Sequence, residues 1–480
     1  MINLVLALIS GIVGGLTVAV IPNTRNRIRN FTVLLFSVLA AFFTWKIALL
    51  VFSGESVGIA GEFAGFPWIL NPDPLGVVFA LIASNLWVFA AVYSFGYMEG
   101  KENQRTYYTF LLLALSVTIG VAFSSNLIAL YLFYELLTFA TYPLVIHDRT
   151  PEAMKAGTKY ILYSLSGAGA ILIAMIITYS WAGNLEFTGQ AILAGLSGAK
   201  LNWLLALFIG GFGVKAAIMP LHKWLPGAMA APTPVSALLH AVAVVFSGAY
   251  GIVRVVYSVF GHELTGQLII SKIMPWVIAF TILMGVIIAV RQDVLKRRLA
   301  YQTISHLSYI LVGVFSLQPW GLAGAIMHMI SYSTLKVSFF FCAGIISEQT
   351  GKKNVSELRG VGWLLPKTMV AFSIATLGMI GMLPLNTFWG KYYLMKGSIE
   401  GGMWPMALVL VLSGVINGLC FIPVIVDSFR GERVTKNKEH GRRFNTMLIA
   451  TLTLSFVSLL VGFWPGLVWT GVEAVVNSFF

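Results

Sequence analysis

Apolar stretches of about twenty residues recur along the whole chain, separated by short polar loops, and no other feature limits the fold so strongly. A helix crosses the hydrocarbon core of a bilayer with roughly 20 apolar residues. Lipid gives the backbone no hydrogen-bond partner, so a spanning segment must be a helix or part of a closed barrel. Barrel strands would alternate and be about half as long, so continuous runs predict helices. Only 10% of residues are charged, against about 25% in ordinary soluble domains. The reading is an all-α integral membrane protein of about fourteen transmembrane helices. The spans are placed near 2–22, 31–52, 74–96, 106–123, 126–146, 157–181, 201–226, 233–259, 270–290, 299–317, 322–346, 366–395, 403–427 and 445–470.

An even count puts both termini on one side. With the N-terminus outside, the inner loops collect Arg25, Arg27 and Arg29, Arg149, Lys155 and Lys159, Arg291 and Lys296–Arg298, Lys352, Lys353 and Arg359, and the run from Arg430 to Arg443. The outer loops hold Lys200, Lys272 and Lys396 alone. That asymmetry is the positive-inside pattern. It places both termini on the outer side of a prokaryotic plasma membrane. The net charge of +13 does not point to nucleic acid, because the basic residues sit in separate short loops and form no stripe. The loop Ser428–Asn445 reads as basic and solvated. Cys342 and Cys420 fall inside spans and read as small core residues. The first span lacks a basic leading region, so it reads as a retained helix.

Charge inside lipid is expensive and marks function unless it is paired or reaches an interface. Lys46 and Arg254 lie toward the outer ends of their helices and are expected to snorkel. Asp73 is expected to cap the third span, and Glu348 and Asp427 to be solvated at inner helix ends. Seven residues are harder to place: Glu135, Lys215, His240, His306, His328, Lys336 and Lys391. A buried charge can be half of a satisfied structural pair. An acid, several lysines and several histidines on separate helices are also the parts of a proton relay. Histidine titrates near neutral pH unaided. A buried amine reaches that range through desolvation, and a neighbouring carboxylate opposes the change. Glu135 opposite Lys215 would be such a pair. His328 and Lys336, eight residues apart, share one helix face.

Two prolines interrupt spans that carry such lysines. Pro220 follows Lys215 by five residues, and Pro384 precedes Lys391 by seven. Proline frees a helix carbonyl, which is tolerated at membrane depth only where it is buried in protein or lines a hydrated cavity. Paired broken helices point to an ion site in a transporter. The breaks fall five spans apart, which suggests two inverted five-helix repeats. The division is then 1–105 (spans 1–3), 106–260 (spans 4–8), 268–428 (spans 9–13) and 445–480 (span 14).

The stretch GVKAAIMPLHKWLPGAMAAPTPVSALLH, Gly213–His240, resembles the signature of the antiporter-like subunits shared by respiratory complex I, Mrp-type cation/proton antiporters and membrane-bound hydrogenases. Tyr134–Pro143, Asp293–Gly313, Met327–Lys336 and Leu383–Lys391 agree with it, in family order, over spans 5–12. The resemblance implies that Glu135 and Lys215 are the family's glutamate and lysine. It makes His240 the eighth-helix relay position, His328 and Lys336 the eleventh-helix relay, and Lys391 the terminal lysine. Where some relatives have a further histidine this chain has Tyr332, which is not expected to be a charged way-station. About ten residues follow the last span, so the shorter type without a lateral helix is expected.

The function expected is that of a proton- or sodium-translocating subunit of a redox complex related to complex I, such as a membrane-bound hydrogenase. The alternative is a subunit of an Mrp-type Na⁺/H⁺ antiporter. A proton would enter from the inner side near Pro220, load Lys215, pass His240, His328 and Lys336, and leave by Lys391. The chain has no P-loop, no dinucleotide fingerprint and no cysteine cluster or haem motif. No catalytic group, metal site or cofactor is therefore expected in it, and energy must come from other membrane subunits and peripheral redox subunits, or from a second ion gradient. A transporter of organic solutes would need a midplane cavity for a larger ligand, and a membrane enzyme a cluster of acids or histidines near one face.

Overall fold

The computed structural model describes residues 1–63, 65–187, 189–430 and 441–480. The chain folds as a bundle of helices, eleven of which, among the described residues, are long and apolar enough to cross a membrane. Helices α1 (Ile2–Val20) and α2 (Asn26–Phe52) pair on one flank. Their outward residues Leu16, Phe31 and Leu49 are exposed, as a lipid-facing surface requires. A small antiparallel hairpin follows, β1 (Ile59–Phe63) on β2 (Phe66–Leu70), with Ile59 opposite Leu70. Hydropathy alone gave no sign of it.

Helices α3 (Pro74–Tyr97), α4 (Gln104–Phe123), α5 (Leu127–Val145), α6 (Pro151–Ala182) and α7 (Lys200–Lys215) come next. Asp73 caps α3 as expected, accepting from the Gly76 amide at 2.9 Å. The span expected over 201–226 stays α-helical only to Lys215. Ala217 turns to φ 56°, and two 3₁₀ turns, Leu221–Trp224 and Gly227–Ala230, replace a second helical half. The span expected over 233–259 is also interrupted. It consists of α8 (Thr233–Ala241) and α9 (Val244–Arg254), which runs into a π turn at Val255–Phe260.

The second half comprises the short α10 (His262–Gln267), α11 (Ile269–Val290), α12 (Leu295–Phe315), α13 (Pro319–Thr350), the short α14 (Val361–Leu364), α15 (Pro366–Ile380), α16 (Thr387–Glu400) and α17 (Trp404–Ser428). Helix α13, 32 residues long, is the axis of this half. It packs against α8, α12, α15 and α16, and is almost wholly buried. Helix α18 (Arg442–Phe463) ends before the expected limit of 470, and a separate helix α19 (Gly466–Asn477) follows Pro465. Trp469 of α19 rests on Trp320 and Tyr393 at ring-centroid distances of 6.2 and 5.1 Å.

Two charges expected to be solvated or snorkelling are instead paired. Arg254 is 2% exposed and makes a bidentate pair with Asp73 at 2.6 Å. The conformation of α9 points its guanidinium inward, where Tyr250 accepts from it at 2.7 Å. Glu348 binds Lys101 at 2.7 Å and Arg443 at 2.6 Å, tying α13 to α18. Lys46 is exposed and lies 5.1 Å from the Phe42 ring. The basic loop expected at Ser428–Asn445 lies largely outside the described residues.

Candidate functional site

The break after α7 leaves backbone groups, a carbonyl and an amide among them, that the fold satisfies individually. Trp224 Nε1 donates to Val214 O at 2.7 Å, and the Met219 amide donates to Thr281 Oγ1 at 3.3 Å. The peptides Met219–Pro220 and Leu383–Pro384 are cis. Lys215, the last residue of α7, is fully buried. Its ammonium donates to Tyr134 O at 2.5 Å and lies 3.4 Å from the centre of the Tyr134 ring. Lys215 and Glu135 form no hydrogen-bonded ion pair: Lys215 binds the carbonyl of Tyr134, and the Glu135 charge acts on it from farther away. Glu135 is only half-buried, and its Oε1 has no partner. Its neighbours Leu136 and Phe139 are exposed, so this part of α5 faces the flank of the bundle. Helix α9 packs directly on the end of α7. A Cβ on Gly248 would lie 2.7 Å from Phe212 O and 2.8 Å from the Lys215 carbonyl carbon.

His240 sits at the end of α8, next to the interruption at Val242 and Ala243. Its Nδ1 faces Ser236 O at 2.9 Å and its Nε2 faces Leu225 O at 3.3 Å. Both neighbours can only accept, and a neutral imidazole has a single N–H. Both contacts are satisfied together only by the doubly protonated ring. No hydrogen bond joins His240 to Lys215 among the described residues. On the other side Tyr332 donates to His240 O at 3.3 Å. The Tyr332 ring stacks on those of His306 and His328, at 5.3 and 5.8 Å.

The second half is more closely connected. Lys336 Nζ donates to Leu299 O at 2.7 Å and to Gln302 Oε1 at 2.9 Å. Gln302 Nε2 donates to Asn417 Oδ1 at 3.0 Å. Asn417 Nδ2 reaches His306 Nε2 at 3.4 Å, and His306 Nδ1 reaches His328 Nε2 at 3.4 Å. With Asn417 donating, a neutral His306 carries its proton on Nδ1, and His328 carries its own on Nδ1, which has no partner. His328 and Lys336 both address α12, as their spacing on one face of α13 required.

Lys391 lies in the second turn of α16, across the break from α15. Its ammonium takes Met379 O at 3.0 Å and Ile380 O at 2.7 Å. These are end carbonyls of α15, which have no intrahelical partner, and they form the negative pole of the helix. Lys391 also lies 5.2 Å from the Tyr309 ring, whose hydroxyl bonds Ser413. Lys215, His240, His306, His328 and Lys336 are fully buried and Lys391 is 7% exposed, so none of these six faces lipid.

Gly381 makes the Lys391 seat possible. It adopts φ 93°, and a Cβ there would come within 2.6 Å of Lys391 Cδ. Gly381→Ala is expected to destabilise the chain by about 1–3 kcal/mol and to dislodge the lysine. Thermal unfolding together with ion flux in vesicles checks this.

Gln302, Asn417, Tyr309 and Tyr134 were not singled out from the sequence. Neutral amides and tyrosines in a helix carry no charge signal, and only tertiary structure shows what they join. His222, beside Pro220, was also passed over. It is buried, and its Nδ1 has no partner.

This architecture defines a multi-span helical membrane protein with a buried line of titratable groups between two broken helices. Residues 124–417 match the family described as NADH:quinone oxidoreductase/Mrp antiporter, TM, and the chain belongs to that family. It is 31% identical over 447 residues to NADH-quinone oxidoreductase subunit N of Desulforudis audaxviator, with 88% of each chain covered. It is 25% identical over 410 residues to a Na(+)/H(+) antiporter subunit of Bacillus subtilis, covering 85% of this chain and 83% of that one. Its fold is similar to that of a chain in the Mrp complex from Dietzia sp. DQ12-45-1b, with a TM-score of 0.89 at 19% identity over 99% of this chain and 97% of that one.

Proposed function

We propose that this chain moves protons, or sodium ions in exchange for them, across the plasma membrane of a prokaryote. It does so as one membrane subunit of a respiratory redox complex related to complex I. One observation carries the reading: six titratable side chains from α7, α8, α12, α13 and α16 are withdrawn from lipid between the two helix breaks. Moving one charge against 100 mV requires about 2.3 kcal/mol, so partner subunits supply the driving force. Residues 106–260 and 268–428 act as inverted repeats, each holding one broken helix. The basic face lies in the cytoplasm, with both termini outside. Glu135, on the flank of the bundle, meets the neighbouring membrane subunit, and its charge there biases Lys215.

The proton enters by the break at Pro220, where Lys215 and His222 are buried. It passes His240 and Tyr332 to Lys336 and the His306–His328 pair, and leaves from Lys391. Gln302 and Asn417 hold Lys336 in register with His306. Gln302→Leu is expected to cut ion flux in vesicles at least about tenfold, while the assembled complex remains intact. Undiminished flux would remove Lys336 from the route.

The similarity to a Na(+)/H(+) antiporter protein of Bacillus subtilis supports a second reading, exchange of Na⁺ for H⁺ without redox chemistry. Gentle purification of the native assembly separates the two. Co-purifying hydrogenase, dehydrogenase or sulfur-reductase proteins establish the redox complex. An assembly of small membrane subunits alone establishes the antiporter.

A further inference from the structure

Away from the buried line, a cavity of about 460 Å³ opens at the basic face between the ends of α2, α3, α4 and α18. Arg27, Arg29 and Arg442 line it, with Asn30 and Gln104 beside them and Glu99 as the acid on its wall. Arg29 is 2% exposed, yet no carboxylate pairs with it, or with Arg27 or Arg442, among the described residues. Its guanidinium is held in place by neutral groups. Nη2 donates to Gln104 Oε1 at 2.6 Å and to Asn30 Oδ1 at 3.1 Å, Nε reaches the same Asn30 oxygen at 3.3 Å, and the Tyr108 ring lies 5.0 Å away. Nη1 makes no hydrogen bond to a described residue. A buried cation that no carboxylate pairs with among the described residues is unfavourable, and a guanidinium fixed in orientation with donors to spare is suited to a phosphate.

We propose that this cavity binds the phosphate of an anionic lipid headgroup. The charge, the orientation of Arg29 and the volume fit any phosphate; the surroundings select a lipid. The cavity sits at the ends of membrane helices, where basic pockets between helices take anionic headgroups. Phe31, four residues from Arg27 and so on the same face of α2, is 66% exposed and begins an apolar strip that continues through Leu35 and Val38. Acyl chains would lie along that strip. The inference is independent of the ion route and stands or falls separately from it.

The test is native mass spectrometry and thermal unfolding of the full chain with added phosphatidylglycerol, phosphatidylcholine or inorganic phosphate. Phosphatidylglycerol is expected to stay bound and raise the melting temperature, while the other two leave it unchanged. The exposed arginines can be changed without disturbing Arg29. Arg27→Gln with Arg442→Gln is expected to weaken retention roughly thirtyfold, and either alone about fivefold, at an unaltered lipid-free melting temperature. Equal stabilisation by phosphatidylcholine would overturn the proposal, as would unchanged retention in the single and double variants. Stabilisation by inorganic phosphate to the same degree would show a soluble anion site instead and overturn the lipid assignment.

Discussion

Lys215→Met is expected to reduce ion transport by about a hundredfold or more while leaving the chain folded and assembled. The lysine is fully buried and rests on one backbone carbonyl and one aromatic ring. Methionine keeps the length and most of the volume of the side chain. A volume-conserving exchange of this kind typically changes stability by less than about 1.5 kcal/mol, and removing a buried ammonium relieves its desolvation. A structural lysine would therefore be dispensable for transport, whereas a proton carrier would not. Flux measured in vesicles, alongside thermal unfolding and quantification of the assembled complex, separates the two. Full transport in a normally assembled variant would remove Lys215 from the mechanism.

Asp73→Asn is expected to do the opposite, lowering stability while sparing the chemistry. Asparagine caps a helix about as well as aspartate, so the amide of Gly76 keeps its acceptor and the change isolates the charge. Arg254 then loses its counter-charge and the 2.6 Å contact to Oδ2, where an amide nitrogen that cannot accept now faces it, and keeps only neutral acceptors in Oδ1 and the Tyr250 hydroxyl. Breaking a buried pair from one side costs about 3–5 kcal/mol. The Asp73 side chain is 34% exposed, so screening places the loss near the lower bound, about 3 kcal/mol. Thermal unfolding in detergent should show it, and Arg254→Met added to Asp73→Asn should recover much of it. Ion flux per assembled molecule should be unchanged by either variant.

The two residues of that pair lie 181 positions apart, and nothing in the sequence near either one announces the other. The helical membrane fold, by contrast, was legible because lipid forces hydropathy and helix to coincide over each span. The breaks near Pro220 and Pro384 were legible because proline marks them. The interruption at Val242–Ala243 was not, since no proline or glycine stands there and the sequence reads as one apolar run. The hairpin at 59–70 was missed because a short stretch of mixed composition between two spans read as a loop.

For the site, charged and imidazole groups stand out against an apolar background, and the structure brings His306, His328, Lys336 and Lys391 into one connected region. What sequence could not supply was direction. Glu135 occupies a helix that is apolar on every side, so periodicity could not show that it faces the flank and leaves Lys215 to a backbone carbonyl. Nor could it reveal that Gln302 and Asn417 join Lys336 to His306, because a neutral amide in a helix looks like any other polar residue until its partners are in place.

The proposed route requires the buried groups to form one continuous polar path from the break at Pro220 to Lys391. The most direct test is an experimental structure of the assembled complex in a lipid nanodisc, at a resolution that shows ordered water. Water molecules bridging Lys215 to His240, and the His306–His328 pair to Lys391, are the predicted result. An apolar gap with no water between either pair, too wide for a hydrogen bond to cross, would contradict the account.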